Sequence, residues 1–323
     1  MKRVLALVMA AIMMLALCAC GSTAQPDADP AEKVYSVGIV QLVQHVALDQ
    51  ATQGFQDALT EKLGDKVSFD VQLASGEPTN CTTIVTKFVN DNVDLIMANA
   101  TPAVIAAKEA TSTIPVIGTS VTDYVSEEAA IVASNEAPGG NVTGYSDMSD
   151  IAAHVDLTQK LCPDAKTVAI IYCSAEPNSV IQGKQADELY KAAGFSTLIL
   201  TASDVTTISS VVTSACDQAD VIYIPTDNLF AENMEAVKNI AEPAKIPVIT
   251  GEGGMVTSGG TASVAIDYYV LGYRAGEMAY EIMVNGADPA STPIGFMTAD
   301  DMELVINEDN AAAIGLTIPD DLK

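Results

Sequence analysis

The sequence predicts an α/β protein built as two doubly wound parallel-sheet lobes. Three observations carry that expectation. Short β-branched runs alternate with helix-length stretches, the alternation occurs as two separate series, and a glycine-rich break from Pro138 through Gly139-Gly140-Asn141-Val142-Thr143 to Gly144 falls between them. Such alternation sets parallel strands side by side with helices on both faces. The body, from residue 33 to the end of the 323-residue chain, also exceeds the length that one core usually serves.

In the first series, strands are expected at 34–40, 69–73, 95–98 and 116–118, and helices at 47–63, 82–92 and 103–110. The second series repeats the theme with strands at 167–172, 197–200, 221–224 and 248–250, and helices at 179–193, 205–218 and 231–241. The glycine-rich break reads as the point where the chain crosses between lobes. It lacks the lysine and the strand-turn-helix setting of a phosphate loop, as does Gly251-Glu252-Gly253-Gly254, so these glycines read as turns and hinges.

The N-terminus carries its own pattern. Lys2 and Arg3 precede an uncharged apolar run from Val4 to Ala19, then Cys20 and Gly21-Ser22. A basic head, an apolar stretch shorter than a membrane span and a small residue before a cysteine read as a lipoprotein signal peptide, 1–19, cut ahead of Cys20. Cys18 is the poorer site because Leu17 precedes it. Residues 20–32, rich in Ala, Pro and Asp, read as a flexible tether.

Composition excludes several classes. The formal charge of −27 falls to −29 once Lys2 and Arg3 leave, and so acidic a body repels phosphate backbones, which argues against nucleic-acid binding. No second run is long enough to span a bilayer. Cys81, Cys162, Cys173 and Cys216 are scattered, with no metal-ligand spacing and no pairing legible from their positions. The two histidines, His45 and His154, have no nucleophile or zinc motif around them, so neither catalysis nor a cofactor is expected. His154 reads as a core or surface residue of a helix; His45 stands at a strand-to-helix junction and is divided between packing and a pocket.

In open parallel sheets, ligands bind beyond the carboxyl ends of the strands. Those positions here are polar: Gln41 and His45; Thr101 before Pro102; Thr122, Asp123 and Tyr124; Ser174, Glu176, Asn178 and Ser179; Thr226, Asp227 and Asn228; Glu252; and Asp267 with Tyr268. Some also suit helix caps, Thr101 and Asn178 or Ser179 above all. The residue types suit an amino acid: Asp123, Asp227 or Asp267 for an ammonium, and Thr101, Thr122, Ser174 and Ser179 with helix-start N–H groups for a carboxylate. Tyr124 and Tyr268 would face the variable part.

Several stretches taken in order resemble a family. Gln41-Leu42-Val43-Gln44-His45, Ala100-Thr101-Pro102-Ala103, Gly139 through Gly144, Pro225-Thr226-Asp227-Asn228, Leu304-Val305-Ile306-Asn307 and Gly315 through Pro319 resemble the substrate-binding lipoproteins of ABC importers of the tryptophan/tyrosine-binding type. The resemblance implies a type I periplasmic-binding-protein fold: a monomer of two lobes joined by three crossings, a ligand enclosed at the seam, an ABC permease and its ATPase as partners, and no catalysis. It implies lobe boundaries of 33–147 plus 267–293 and 148–266 plus 294–323. The chain departs from the family pattern at Val46, Tyr124, Cys173 and Ala175, all on strand-end loops, which puts the side-chain pocket in question more than the amino-acid frame. Capture for a membrane sensor, or a nucleoside or sugar on the same fold, are the alternative expectations.

Overall fold

The computed structural model describes residues 33–323. The signal peptide, the tether and Cys20 fall outside the described residues.

The first sheet contains β1 (Tyr35–Gln41), β2 (Val67–Leu73), β3 (Leu95–Asn99), β4 (Val116–Val121) and β5 (Val142–Ser146) in the parallel order β2-β1-β3-β4-β5. β3 and β4 are buried along their whole length, because helices cover both faces of the sheet. β2, at the edge, alternates between half-buried and exposed residues. The helices between these strands are α1 (Val46–Leu63), α2 (Pro78–Asp91) and α3 (Thr101–Ala110).

The second sheet repeats the design with β6 (Thr167–Cys173), β7 (Ser196–Ala202), β8 (Val221–Ile224), β9 (Val248–Thr250) and β10 (Ala262–Ile266), in the order β7-β6-β8-β9-β10. Its helices are α4 (Ile151–Leu161), α5 (Pro177–Ala192), α6 (Val205–Gln218), α7 (Asn228–Glu232), α8 (Met234–Ala244) and α9 (Gly253–Thr257). α6 starts on a capping box between Asp204 and Thr207. His154 on α4 is fully buried, with Nε2 2.9 Å from Val264 O and Nδ1 3.3 Å from the Tyr223 hydroxyl, and is a core residue of this lobe.

Three crossings join the sheets. The first runs between β5 and α4, past Asp147 and Ser149, and not through the glycine-rich break: Val142–Ser146 is a strand, paired with β4. The second runs from β10 into α10 (Tyr268–Met283), which returns to the first lobe and packs along α1. The chain then forms β11 (Gly295–Phe296) before the third crossing leads to β12 (Met302–Ile306) and α11 (Glu308–Ile314). β11 pairs with β5 in the first sheet, so the return to the second lobe comes after Phe296 and not at Ile294. β12 closes the second sheet antiparallel to β10.

The crossings are fastened to one another. Arg274 on α10 grips Asp301 on the third crossing through two bonds of 2.6 and 2.8 Å, and Asp301 O accepts from Asp267 N on the second at 3.3 Å. That guanidinium holds the Asp301 carboxyl well below the usual carboxylate range.

α1 and α10 approach so closely that glycine is required at both contacts. A Cβ on Gly272 would lie 2.0 Å from Ala51 O, and one on Gly54 would lie 2.1 Å from Tyr269 O. Gly272→Val is therefore expected to overpack the contact at a cost of about 1–3 kcal/mol and to lower Tm by roughly 2–5 °C. Gly140→Ala, where nothing lies within 4 Å of the added carbon, is the control expected to leave Tm unchanged in a calorimetric scan.

Candidate functional site

The carboxyl ends of both sheets face each other, and the loops beyond them close around a space of about 10 Å³, room for one water-sized group. The first lobe contributes His45, Leu48, Ser120 and Thr122, and the crossings contribute Asp147 and Tyr268. From the second lobe come Asn178, Thr226, Asp227, Asn228 and Glu252.

Three carboxyl groups line this space, and no lysine or arginine does. Each is almost fully buried: Asp147 at 4 %, Asp227 at 3 % and Glu252 at 3 % exposure. Burial pushes the Glu252 carboxyl up to about 8, helped by the neighbouring charges of Asp147 and Asp227. Asp147 rises to about 6 for the same first reason, although hydrogen bonds from the Tyr268 hydroxyl at 2.8 Å and the Thr122 hydroxyl at 3.4 Å oppose the shift. Asp227 is raised by burial and by Glu176, against two backbone N–H bonds from Cys173 at 2.5 Å and Phe230 at 2.9 Å.

His45 closes the ring from the other lobe. Its Nε2 lies 3.2 Å from Asn228 Oδ1, and burial lowers the imidazole to about 4, so it is neutral near pH 7. Asn228 Nδ2 donates to Glu176 at 2.6 Å, which turns its Oδ1 toward His45 and makes Nε2 the protonated nitrogen by assignment from the network. Nδ1 is then a bare acceptor. It has no hydrogen-bond partner and stands 3.9 Å from Glu252 Oε1, too far for a direct bond.

Two further buried polar atoms line the cavity without partners among the described residues: Ser120 Oγ and Asn178 Oδ1. Ser120 also adopts φ +55°, a left-handed conformation at the irregular end of β4. Strained backbone at a polar cavity wall is a mark of function.

The structure thus gathers His45, Thr122, Asn178, Thr226, Asp227, Asn228, Glu252 and Tyr268 from the sequence-predicted set, and places the others elsewhere. Gln41 ties β1 to α1 through Val43 O, Asp49 and Thr52. Asp123 caps a turn by accepting from Val125 N and Ser126 N, and Asp267 caps α10 by accepting from Val270 N, so neither reaches the cavity. Tyr124 lies inside the first lobe with its hydroxyl donating to Tyr145 O, in the space left by Gly118 and Gly144, and does not face a ligand.

The cap assignments shift by one or two residues. Thr101 is the first residue of α3 and leaves its hydroxyl buried without a partner, while α5 begins behind Glu176 with no side-chain cap. Ser174 faces outward, donating to Ala202 O. Glu176 gathers the N–H groups of Asn228 and Leu229 and so holds the start of α7, and Ser179 supports Asp227 from behind.

The sequence reading missed Leu48, Ser120 and Asp147. Asp147 follows a strand directly, but that strand carries Gly144 in its middle and reads in sequence as a break. A second hollow of about 290 Å³ adjoins the cavity at Asn228, with Leu42, Val43, Pro102, Cys173, Ala175 and Leu229 on its walls beside Glu77, Glu176, Asp204 and Glu232. Cys173 and Ala175, two of the departures from the family pattern, face this hollow.

The family model for ABC transporter substrate binding proteins matches residues 36–323. The chain belongs to that family. It is 38% identical to the tyrosine-binding protein of Clostridioides difficile, over 98% of this chain and 93% of that one. A Streptococcus pneumoniae ABC domain solved in complex with L-Trp superposes with a TM-score of 0.85 at 32% identity, covering 90% of this chain and 97% of that one. The ligand-free, open structure of a Clostridium difficile substrate-binding protein with adhesive properties gives 0.68 at 36% identity, covering 89% and 97%.

As a substrate-binding protein, the chain is extracytoplasmic, captures a small molecule and works with an ABC transporter. Such proteins bind and release without chemistry. No helix among the described residues is long and apolar enough to cross a membrane. No group of three or more His, Cys, Asp or Glu among them is placed to hold a metal ion.

The raised carboxyls have a measurable consequence. When the cleft opens, water returns to Asp147 and Glu252 and their affinity for protons falls, so the closed, ligand-free form holds more protons between about pH 4 and the values of about 6 and 8 given above. A cation entering the cavity displaces those protons. Protons thereby favour the empty shut form, and where that form is populated the binding of a cationic group is expected to release them at pH 7, with affinity falling as pH drops from 8 to 6. Calorimetry in two buffers of different ionisation enthalpy reads the release directly, and equal heats in both would contradict it.

Proposed function

We propose that this substrate-binding protein captures an amino acid, aromatic or related, with the ammonium end enclosed among Glu252, Asp147, Asp227 and the bare Nδ1 of His45. The observation that carries the reading is the convergence of three buried carboxyls and an unprotonated imidazole nitrogen on one cavity with no cation on its walls. An ammonium offers three N–H donors and a positive charge, which answers both the missing donors and the missing charge. A carboxyl buried without a counter-charge takes up a proton instead of staying ionised, and a cationic ligand can take that proton's place. A ligand that supplies the charge therefore gains more from closure than a neutral sugar can.

This reading moves the ammonium from Asp123 and Asp267 to Glu252 and Asp147. For the ligand carboxylate, the Ser120 hydroxyl is the free donor on the cavity wall, with Thr122, whose hydroxyl is shared with Asp147 and Gln182, beside it. The adjoining hollow, apolar at Leu42, Val43, Pro102 and Leu229 and acidic at Glu77, Glu176, Asp204 and Glu232, would take the side chain. The relatives support the class: one is named for tyrosine and one was solved with L-Trp. The stronger superposition on the L-Trp complex than on the open, ligand-free protein, at similar identity, supports a closed arrangement of the lobes.

At the surface, we place the protein on a lipid anchor at Cys20, delivering its ligand as a monomer to a permease and its ATPase. Cys20→Ser is expected to abolish labelling by a fatty-acid probe and to release the protein from the membrane fraction; retained labelling would refute the anchor.

The ligand reading is tested by thermal shift of the purified protein against amino acids, indoles, nucleosides and sugars, since a molecule that binds only the folded state raises Tm. L-tyrosine or L-tryptophan is expected to raise it, and Glu252→Gln to weaken that ligand at least tenfold in calorimetry. A response to sugars alone, or unchanged affinity in the variant, would overturn the assignment.

A further inference from the structure

We propose that Gln182, on α5 of the second lobe, is a positioning residue that latches the two lobes together and ties the latch to the first crossing. Its side chain is fully buried. Nε2 donates to Thr122 Oγ1 of the first lobe at 2.8 Å and to Thr226 Oγ1 of its own lobe. Oε1 accepts from Ser149 Oγ, on the first crossing, at 2.7 Å and from Thr226 N at 3.4 Å. All the capacity of this one amide is thus used, by three segments of the chain.

The bonds continue on the far side. Thr122 Oγ1 donates to Asp147 Oδ1, and Asp147 Oδ2 accepts from Tyr268 at the start of α10, directly behind the second crossing. An unbroken line therefore runs from Thr226 and Ser149 through Gln182, Thr122 and Asp147 to Tyr268. It passes two of the three crossings and holds in place four residues that line the cavity. Only the Gln182–Thr122 link in it spans the lobes, and that link exists only when they are shut. When the cleft opens, the Gln182 amide loses its partner on the first lobe and Thr122 is free to turn.

Other contacts cross the seam, among them His45 to Asn228 and, at the surface, Lys184 to Glu128 at 2.7 Å. An exposed ion pair contributes little to closure. Gln182 differs in being buried and in reaching the crossing itself.

The experiment reads closure without reference to any ligand, so its outcome is separate from the amino-acid assignment. Cysteines introduced as Glu128→Cys and Lys184→Cys, on facing sides of the seam, are joined by a short bis-maleimide, and the rate of joining reports how often the lobes close. In this background, Gln182→Met, similar in length and without the amide, is expected to slow joining at least about fivefold, the factor that one buried hydrogen bond commands. Thr122→Val, which removes the same link from the first lobe, is expected to slow it equally, and the double variant to be no slower than either single one. A rate within twofold of the background for either single variant, or additive effects in the double, would overturn the latch. A loss of Tm without a change in rate would also do so, since it marks a residue that only stabilises its own lobe. If Gln182→Met does not fold, Thr122→Val reads the same link from the other side.

Discussion

The cavity at the seam of this protein is organised around three carboxyl groups that have been taken out of water with no lysine or arginine beside them. Asp147, Asp227 and Glu252 enter the same cavity from different segments, and the hydrogen bonds they accept cover part of the desolvation cost. The remainder is a standing preference for a proton or a cation. That preference makes the cleft selective, because the closed form is comfortable only when something with the right charge and donors occupies it.

The fold creates this situation economically. Two sheets of the same strand order set their carboxyl ends face to face, so polar residues on short loops, each harmless alone in water, become neighbours when the lobes meet. The crossings lie beside these loops, and Arg274 with Asp301 keeps two of them in register. Closure is thereby a motion of the two lobes about a narrow, fastened strip.

Many strand-end polar residues turned out to serve the scaffold. Asp123, Asp267 and Gln41 satisfy backbone or neighbouring side chains, and Tyr124 fills the space over two glycines in the first lobe. A carboxylate after a strand is ambiguous in sequence because capping a helix and holding an ammonium call for the same residue type at the same place. Asp227 does the first while lining the site for the second, whereas Asp267 only caps. Gln182 was invisible for the opposite reason: it sits inside a helix, at a position where a glutamine is ordinarily a solvated surface residue.

The sequence by itself determined the α/β class, the doubling of the lobes, most strands and helices of both series, and the neighbourhood of the site at the strand ends. Those features follow from hydrophobic period and punctuation, which act over a few residues and are written locally. Tertiary structure decided which carboxylates face the cavity, that Val142–Ser146 is a strand and not a crossing, that Gly295–Phe296 joins the first sheet, and that Gln182 reaches across the seam. These depend on pairings between residues tens to more than a hundred positions apart, whose energies exist only after the lobes have folded and met.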